Sequence, residues 1–115
     1  MTNSLNSPAI KKIQNALGLA QRAGKCVAGD ELLDSISKGK ISIVILGNDS
    51  SDRTQEQISK KCDYYKVTVV KLLSKEEISS AIGKYNRVAV GIADRGFGKM
   101  INKYLEETRG EVISE

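Results

Sequence analysis

Histidine is absent from the 115 residues, and with it the side chain that most often serves as a general base near neutral pH. Nucleophile schemes that pair histidine with serine or cysteine are thereby excluded. The two cysteines, Cys26 and Cys62, lack the C-x-x-C spacing of a structural zinc site. Both fit apolar positions and are expected as buried, reduced thiols of a cytoplasmic protein. Lys25, Lys60 and Lys61 beside them would favour a thiolate, but the apolar placement outweighs that signal. The single proline, Pro8, interrupts no strand pattern. No apolar run approaches the ~18 residues of a membrane helix, the longest being about Val88 to Ala93. The opening MTNSLNSP has neither the basic nor the apolar region of a secretory signal. There is no internal repeat, linker or low-complexity tract.

Hydrophobic residues make up 40% of the chain and charged residues 28%, the balance of a soluble globular protein. Its length suffices for one domain with one conventional core. The net charge of +4 is unevenly spread. Residues 106–115 carry four glutamates and one arginine, so residues 1–105 hold 17 basic and 10 acidic side chains, a net +7. A moderately basic body with a short acidic C-terminal tail suggests nucleic acid as partner, with simple solubility as the plainer alternative.

Along the chain, helical and strand patterns alternate. Residues 1–7 are polar and read as loose. Ser7-Pro8 is a helix start, with serine as N-cap and proline in the first turn. Ile10, Ile13, Leu17 and Ala20 then recur at helical spacing until Gly24. A second helix is expected from Gly29 to about Lys38, stopped by Gly39. Ser42 to Gly47 is continuously apolar, as expected of a central strand covered on both faces. Asp52 to Gln55 has capping-box spacing and opens a third helix reaching about Tyr65. Val67 to Leu72 is the next strand. Ser74 to Glu77 is another capping box, opening a short helix that ends at Gly83. Arg87 to Ala93 reads as a strand. Phe97, Met100, Ile101, Tyr104 and Leu105 follow the stripe of a last helix. The fold class is therefore α/β, with helices on both faces of a small sheet. Strand order is not legible from the pattern.

Three glycine-rich stretches imitate phosphate loops, and each fails. Gly24-x4-Gly29 is followed by Asp30 and Gly91-x4-Gly96 by Phe97, where a P-loop needs Lys and Ser or Thr. Gly96-x-Gly98 has Ile101 in place of the third glycine of a dinucleotide fingerprint, and no further strand follows. Asp94 fits a cap for the last helix, and Gly96 and Gly98 fit its turn and close packing.

Binding is what the residues leave. Ala23 to Ser35 (AGKCVAGDELLDS) runs from a β-like pair, Cys26-Val27, through Ala28-Gly29 into the second helix. A glycine there lets a partner approach the backbone while the first helical N–H groups point outward, and Arg22 and Lys25 lie just upstream. The alternative is that Gly29 is only an N-cap, with Asp30 and Glu31 complementing the helix dipole. Arg22, Lys25, Lys38, Lys40, Lys75, Lys84 and Arg87 fall at element ends. Tyr85 stands among Lys84, Asn86 and Arg87, an arrangement suited to stacking and phosphate contacts on single-stranded or bulged RNA.

Several segments together resemble a known family. They are Leu17 to Lys25 (LGLAQRAGK), Val27 to Leu32 (VAGDEL), Lys61 to Val67 (KCDYYKV), Ala81 to Lys84 (AIGK) and Asp94 to Phe97 (DRGF). The set is similar to the bacterial YlxQ-type branch of the kink-turn-binding large-subunit ribosomal proteins of archaea and eukaryotes, over about residues 8–105. The resemblance implies a three-layer α/β/α sandwich around a four-stranded mixed sheet, and RNA binding without catalysis or cofactor. In that family a Gly-x-Asn-Glu-x-x-Lys motif reads guanine edges at the start of the second helix. Here Gly29 matches the glycine, while Glu31, Leu32 and Ser35 stand for the Asn, Glu and Lys. Lys75 matches a basic position before the fourth helix. Ile78 to Gly83 corresponds to a Leu-Gly-basic-Ala-x-Gly pattern from which Ser79 and Ser80 depart. Lys84 to Arg87 is short and polar where the family carries an apolar clamp.

The expected RNA contacts are thus Arg22, Lys25, Gly29, Asp30, Glu31, Lys75, Gly83, Lys84 and Tyr85. Cations would meet phosphates, and Glu31 a base edge. The target would be ribosomal or other structured RNA, with the ribosome or translation factors as further partners and no membrane. An adaptor that associates with the translation machinery without reading RNA directly is the alternative. Nothing in the sequence asks for an obligate dimer.

Overall fold

The structure, a computed structural model, describes residues 8–113. Its elements in chain order are α1 (Pro8–Arg22), β1 (Cys26–Ala28), α2 (Glu31–Ser37), β2 (Ile43–Leu46) and α3 (Asp52–Tyr65). They continue with β3 (Thr68–Lys71), α4 (Lys75–Ile82), β4 (Ala89–Ile92) and α5 (Arg95–Ile113). Strand order in the sheet is β1-β4-β2-β3. β4 runs antiparallel to both β1 and β2, while β2 and β3 are parallel, so the sheet is mixed.

Side-chain alternation along β2 sorts the core into two layers. Ile43 and Ile45 face α1, α4 and α5, joining Ile13, Leu17, Ile78, Ile92 and Ile101. Val44 and Leu46 face α2 and α3, joining Leu32, Ile36, Ile58 and Cys62. Every residue of β2 and of β4 is buried, whereas edge strand β3 is half-covered. The expected three-layer sandwich is what the chain forms. Among the described residues no helix is long and apolar enough to cross a membrane.

Element ends refine several expectations. α2 is shorter than its pattern: Gly29 takes a left-handed turn (φ 73°), and Asp30, not Gly29, is the N-cap, without a side-chain capping bond. The cap of α3 lies one residue before the expected box, where Ser51 Oγ accepts from Thr54 N. Gln55 instead reaches back to donate to the Ser50 carbonyl at 2.8 Å. The box at Ser74 forms as expected, with Glu77 N donating to Ser74 Oγ and Ser74 N to Glu77 Oε1. Asp94 accepts from Phe97 N at 2.8 Å, the expected cap of α5. Gly98 lets that helix sit on Ser42, whose Oγ a Cβ there would overlap. Ser42 donates in turn to the carbonyls of Ile92 and Asp94, both at 3.0 Å.

The acidic stretch expected as a tail from residue 106 is helical through Ile113, continuing α5. Glu107 there pairs with Lys12 of α1 at 3.1 Å. Residues 114–115, the loose stretch 1–7 and the cap expected at position 7 lie outside the described residues. Cys62 is buried as expected, but Cys26 is only half-buried, because β1 is a three-residue edge strand.

Candidate nucleic-acid interface

The strand register sets Ala28, Ala89, Leu46 and Lys71 toward one end of the sheet. The chain segments that meet there are Gly29-Asp30, residues 84–88, residues 48–51 and residues 72–74. Short polar contacts bind these four segments together. Gly47 N donates to Val88 O at 2.7 Å and Asn48 N to Leu73 O at 2.8 Å. Lys75 N donates to Asp49 Oδ1 at 2.8 Å, which fixes the first turn of α4 on the β2 loop.

The 84–88 segment is held by Ser79. This buried hydroxyl accepts from Arg87 N at 2.9 Å and donates to Arg87 O at 3.3 Å. The departure from the family's small residue at this position is thus a clamp on the loop. Gly83 closes α4 in the left-handed region (φ 66°), and Asn86 turns the loop at φ 55°. Between these turns Tyr85 is 88% exposed. Arg87 then lies over Gly29: a Cβ added to Gly29 would come within 3.5 Å of the guanidinium carbon. Two depressions share Arg87. One, of about 220 Å³, is lined by Gln21, Cys26, Glu31, Ile82, Lys84 and Arg87. The other, of about 370 Å³, includes Gly29, Asp30, Thr54, Asn86 and Arg87.

The structure therefore brings Gly29, Asp30, Glu31, Lys75, Gly83, Lys84 and Tyr85 to one end of the sheet. It does not bring Arg22 and Lys25 there. Arg22 lines a groove between α1 and α4 with Leu19, Glu77 and Ser80. The Lys25 carbonyl accepts from Ala93 N at 2.7 Å, beyond the opposite end of β4. Four residues of extended backbone, about 13 Å, separate Lys25 from Gly29. Of the side chains that stand for the Asn, Glu and Lys of the reading motif, Leu32 is buried against Gly91, Ser35 is half-buried, and Glu31 is exposed. Arg87, Gln21, Asn86 and Thr54 are polar lining residues outside the set of expected contacts. A basic residue just before a strand was visible at Arg87, but its place over Gly29 depends on β1 pairing with β4.

The chemistry here suits binding. Cys26 Sγ donates to the Leu17 carbonyl at 3.6 Å, and burial pushes the thiol up to about 11, so it stays protonated near neutral pH. Burial raises the Cys62 thiol as well. Asp30, Glu31, Asp49, Glu76 and Glu77 offset Lys75, Lys84 and Arg87 at this end. Its distinguishing features are the shape of the clamped loops, an exposed aromatic and two cations beside a glycine.

An α/β/α sandwich with loop-built depressions at one sheet end defines a class of small binding domain. The chain belongs to the ribosomal protein L7Ae/L30e/S12e/Gadd45 family, whose model matches residues 11–101. It is 39% identical over 103 residues to the RNA-binding protein YlxQ of Enterococcus faecium, covering 89% of this chain and 99% of that protein. It is 37% identical over 91 residues to the RNA-binding protein YlxQ of Bacillus subtilis (strain 168), covering 78% of this chain and 91% of that one. A solved Bacillus halodurans protein of unknown function superposes with a TM-score of 0.78 at 30% identity, covering 83% of this chain and 97% of that one. The Giardia lamblia 15.5kD RNA binding protein superposes with a TM-score of 0.74 at 17% identity, covering 91% of each chain, a likeness of fold alone.

Proposed function

We propose that this protein is a non-enzymatic RNA-binding protein that recognises a structured RNA through the Gly29–Glu31 turn and the Lys84–Arg87 loop. The observation that carries the reading is the placement of Arg87 over Gly29, with Lys84 lining a depression beside Arg87 and Tyr85 exposed on the same loop. Two cations and a stacking surface stand on one tightly held loop next to the Gly29 turn. Both relatives named as RNA-binding proteins support the reading. Lys84 and Arg87 meet phosphates, Tyr85 stacks under an unpaired base, and Glu31 accepts from a base amino group. Lys75 and Gly83 support the loop from α4. Ribosomal RNA or another folded RNA is the target class, and cytoplasmic action follows from it.

Kink-turn recognition is the finer reading, and binding to a kink-turn duplex against an unkinked control across a salt series tests it. Preference for the kinked RNA is the expected result, and equal, salt-sensitive binding to both confines the function to a general structured-RNA surface. In the same assay Lys84→Glu with Arg87→Glu is expected to cost on the order of a hundredfold in affinity and to flatten the salt slope by about 2. Unchanged affinity would sink this site. The adaptor reading is favoured by one observation, that Leu32 is buried where the family motif has a polar reader. Association with ribosomes or translation factors that survives nuclease treatment, from a protein that binds no RNA directly, would establish it.

A further inference from the structure

The opposite end of the sheet is the more basic of the two. The register aligns Cys26, Ile92, Ile43 and Thr68 there. Just beyond them come Lys25 before β1, Lys38 and Lys40 before β2, Lys66 before β3, and Arg95 after β4 with Lys99 one turn on. α3, about 21 Å long, carries Lys60, Lys61, Tyr64 and Tyr65 to the same end. The acids nearby are Asp34, Asp63, Glu56 and Asp94. Asp34 and Glu56 are paired with Lys38 and Lys60 at 2.9 and 3.4 Å, and Asp94 caps α5. Lys25, Lys40, Lys66, Arg95 and Lys99 make no ion pair within the described residues.

Two features of this end have no use inside the fold. Arg95 stands in the first turn of α5, where a cation opposes the helix dipole next to the Asp94 cap, and Lys99 follows one turn on. Tyr64 is 78% exposed, Tyr65 is 40% exposed, and their rings meet edge to face at 4.9 Å. Lys61 Nζ lies 6.0 Å from the Tyr65 ring centroid. Between α5 and the starts of β2 and β3 lies an open depression of about 250 Å³. Thr68, Arg95, Lys99 and Asn102 line it beside the apolar Ile43 and a Ser42 hydroxyl already bonded to the Ile92 and Asp94 carbonyls. Its Thr68, Asn102 and cationic donors suit phosphate and sugar oxygens, and the depression is open, with no deep pocket for a protein side chain.

We propose that this end is a second contact surface that takes single-stranded RNA, its cations meeting successive phosphates and Tyr64 stacking under an unpaired base. The inference rests on the RNA-binding reading above and extends it. RNA held at Gly29 and Arg87 in a folded part continues as an unpaired strand over the far end. Asp34, on the α2 side, already feels the field of this end. Its hydrogen bond and charge contact with Lys38, with Lys40 and Lys61 further off, hold its carboxyl below the ordinary range.

An oligouridylate of about 12 nucleotides is the probe, titrated at several salt concentrations against the full chain. The variants are Lys40→Glu with Lys99→Glu, Tyr64→Ala, and, for the other end, Lys84→Glu with Arg87→Glu. All but the half-buried Arg87 are exposed, and circular dichroism checks their folding. The expected result is that the far-end pair loses about tenfold in affinity and about 2 in salt slope. Tyr64→Ala loses about tenfold with the slope intact. The Lys84 and Arg87 variant loses less affinity for this probe than the far-end pair does. Absence of oligouridylate binding at low salt overturns the inference and leaves the face to a protein partner. Equal losses from the two double variants also overturn it. Far-end binding of oligouridylate by a chain that binds no folded RNA upholds this surface while the Gly29 site fails. Folded-RNA binding without oligouridylate binding overturns this surface while the Gly29 site stands.

Discussion

The two ends of the sheet present opposite solutions to binding a polyanion. At the Gly29 end, acids and bases nearly balance, and four loops are tied by short hydrogen bonds: Arg87 to Ser79, Lys75 to Asp49, Asn48 to Leu73. At the far end, strands emerge almost directly from left-handed turns at Gly39 and Lys66, and cations outnumber acids. Fixed shape with little net charge suits discrimination among folded targets. Excess charge with an exposed aromatic pair suits a strand of any sequence. One fold thus separates the residues that would specify from those that would attach.

The largest effect that tests this contrast is on stability. Gly98→Ala forces a Cβ onto the Ser42 hydroxyl and within 3.0 Å of Ser42 Cβ, so α5 must lift from the start of β2. A cost of about 1–3 kcal/mol in urea unfolding is expected. Oligouridylate affinity should fall as well, because Arg95 and Lys99 move with the helix, while folded-RNA binding at the Gly29 end holds. Wild-type stability in this variant would show that the far end is less tightly built than the contact implies.

That contact also marks what could be read from the chain. Local signals were legible wherever one residue type has one physical use: Pro8, Gly24, Gly39 and Gly83 at helix ends, Ser74 with Glu77 as a box, Asp94 as a cap. The four-residue buried run of β2 was legible for the same reason, since only a central strand is apolar at every position. Strand order was not, because pairing depends on contacts between distant segments. Everything that follows from it was hidden. Arg22 and Lys25 stand next to Gly29 in sequence, yet antiparallel pairing of β1 with β4 sends Lys25 to the other end. Arg87 and Gly29 are distant in sequence and adjacent in space for the same reason. Lys38 and Lys40 read only as residues at element ends, and it is the sheet that gathers them with Lys66. The reading positions, Leu32 and Ser35, were visible as departures, but Ser79 as the clamp of the Arg87 loop was not.

The capping box that starts α4 gives the next test, at the Gly29 end. Ser74→Ala removes the acceptor for Glu77 N and with it half of the capping box. A loss of about 1 kcal/mol in stability is expected. Fraying at the start of α4 loosens Lys75 from Asp49, so affinity for folded RNA should fall severalfold while oligouridylate binding stays as it was. Equal effects on both probes would mean that the two ends are coupled through α4 and not independent.

The smallest effect concerns the acid that tempers the far end. Asp34 is fully exposed and pairs with Lys38 four residues on, at 2.9 Å. A carboxyl held below its ordinary value of 3.8 in the folded state contributes stability above that value, lost as pH falls through the lowered one. Because the pair is solvated and screened, Asp34→Asn should leave the urea midpoint nearly unchanged at neutral pH. What it should change is binding. Removing the acid frees Lys38 and cancels a charge that repels phosphate, so oligouridylate affinity should rise about twofold to fivefold and the salt slope steepen by about 1. Folded-RNA affinity at the Gly29 end should stay close to wild type, since the freed Lys38 lies about two turns of α2 beyond Glu31. A gain at both ends would show that the field of the far end reaches across the domain, and the division of labour would then be one of contacts and not of charge.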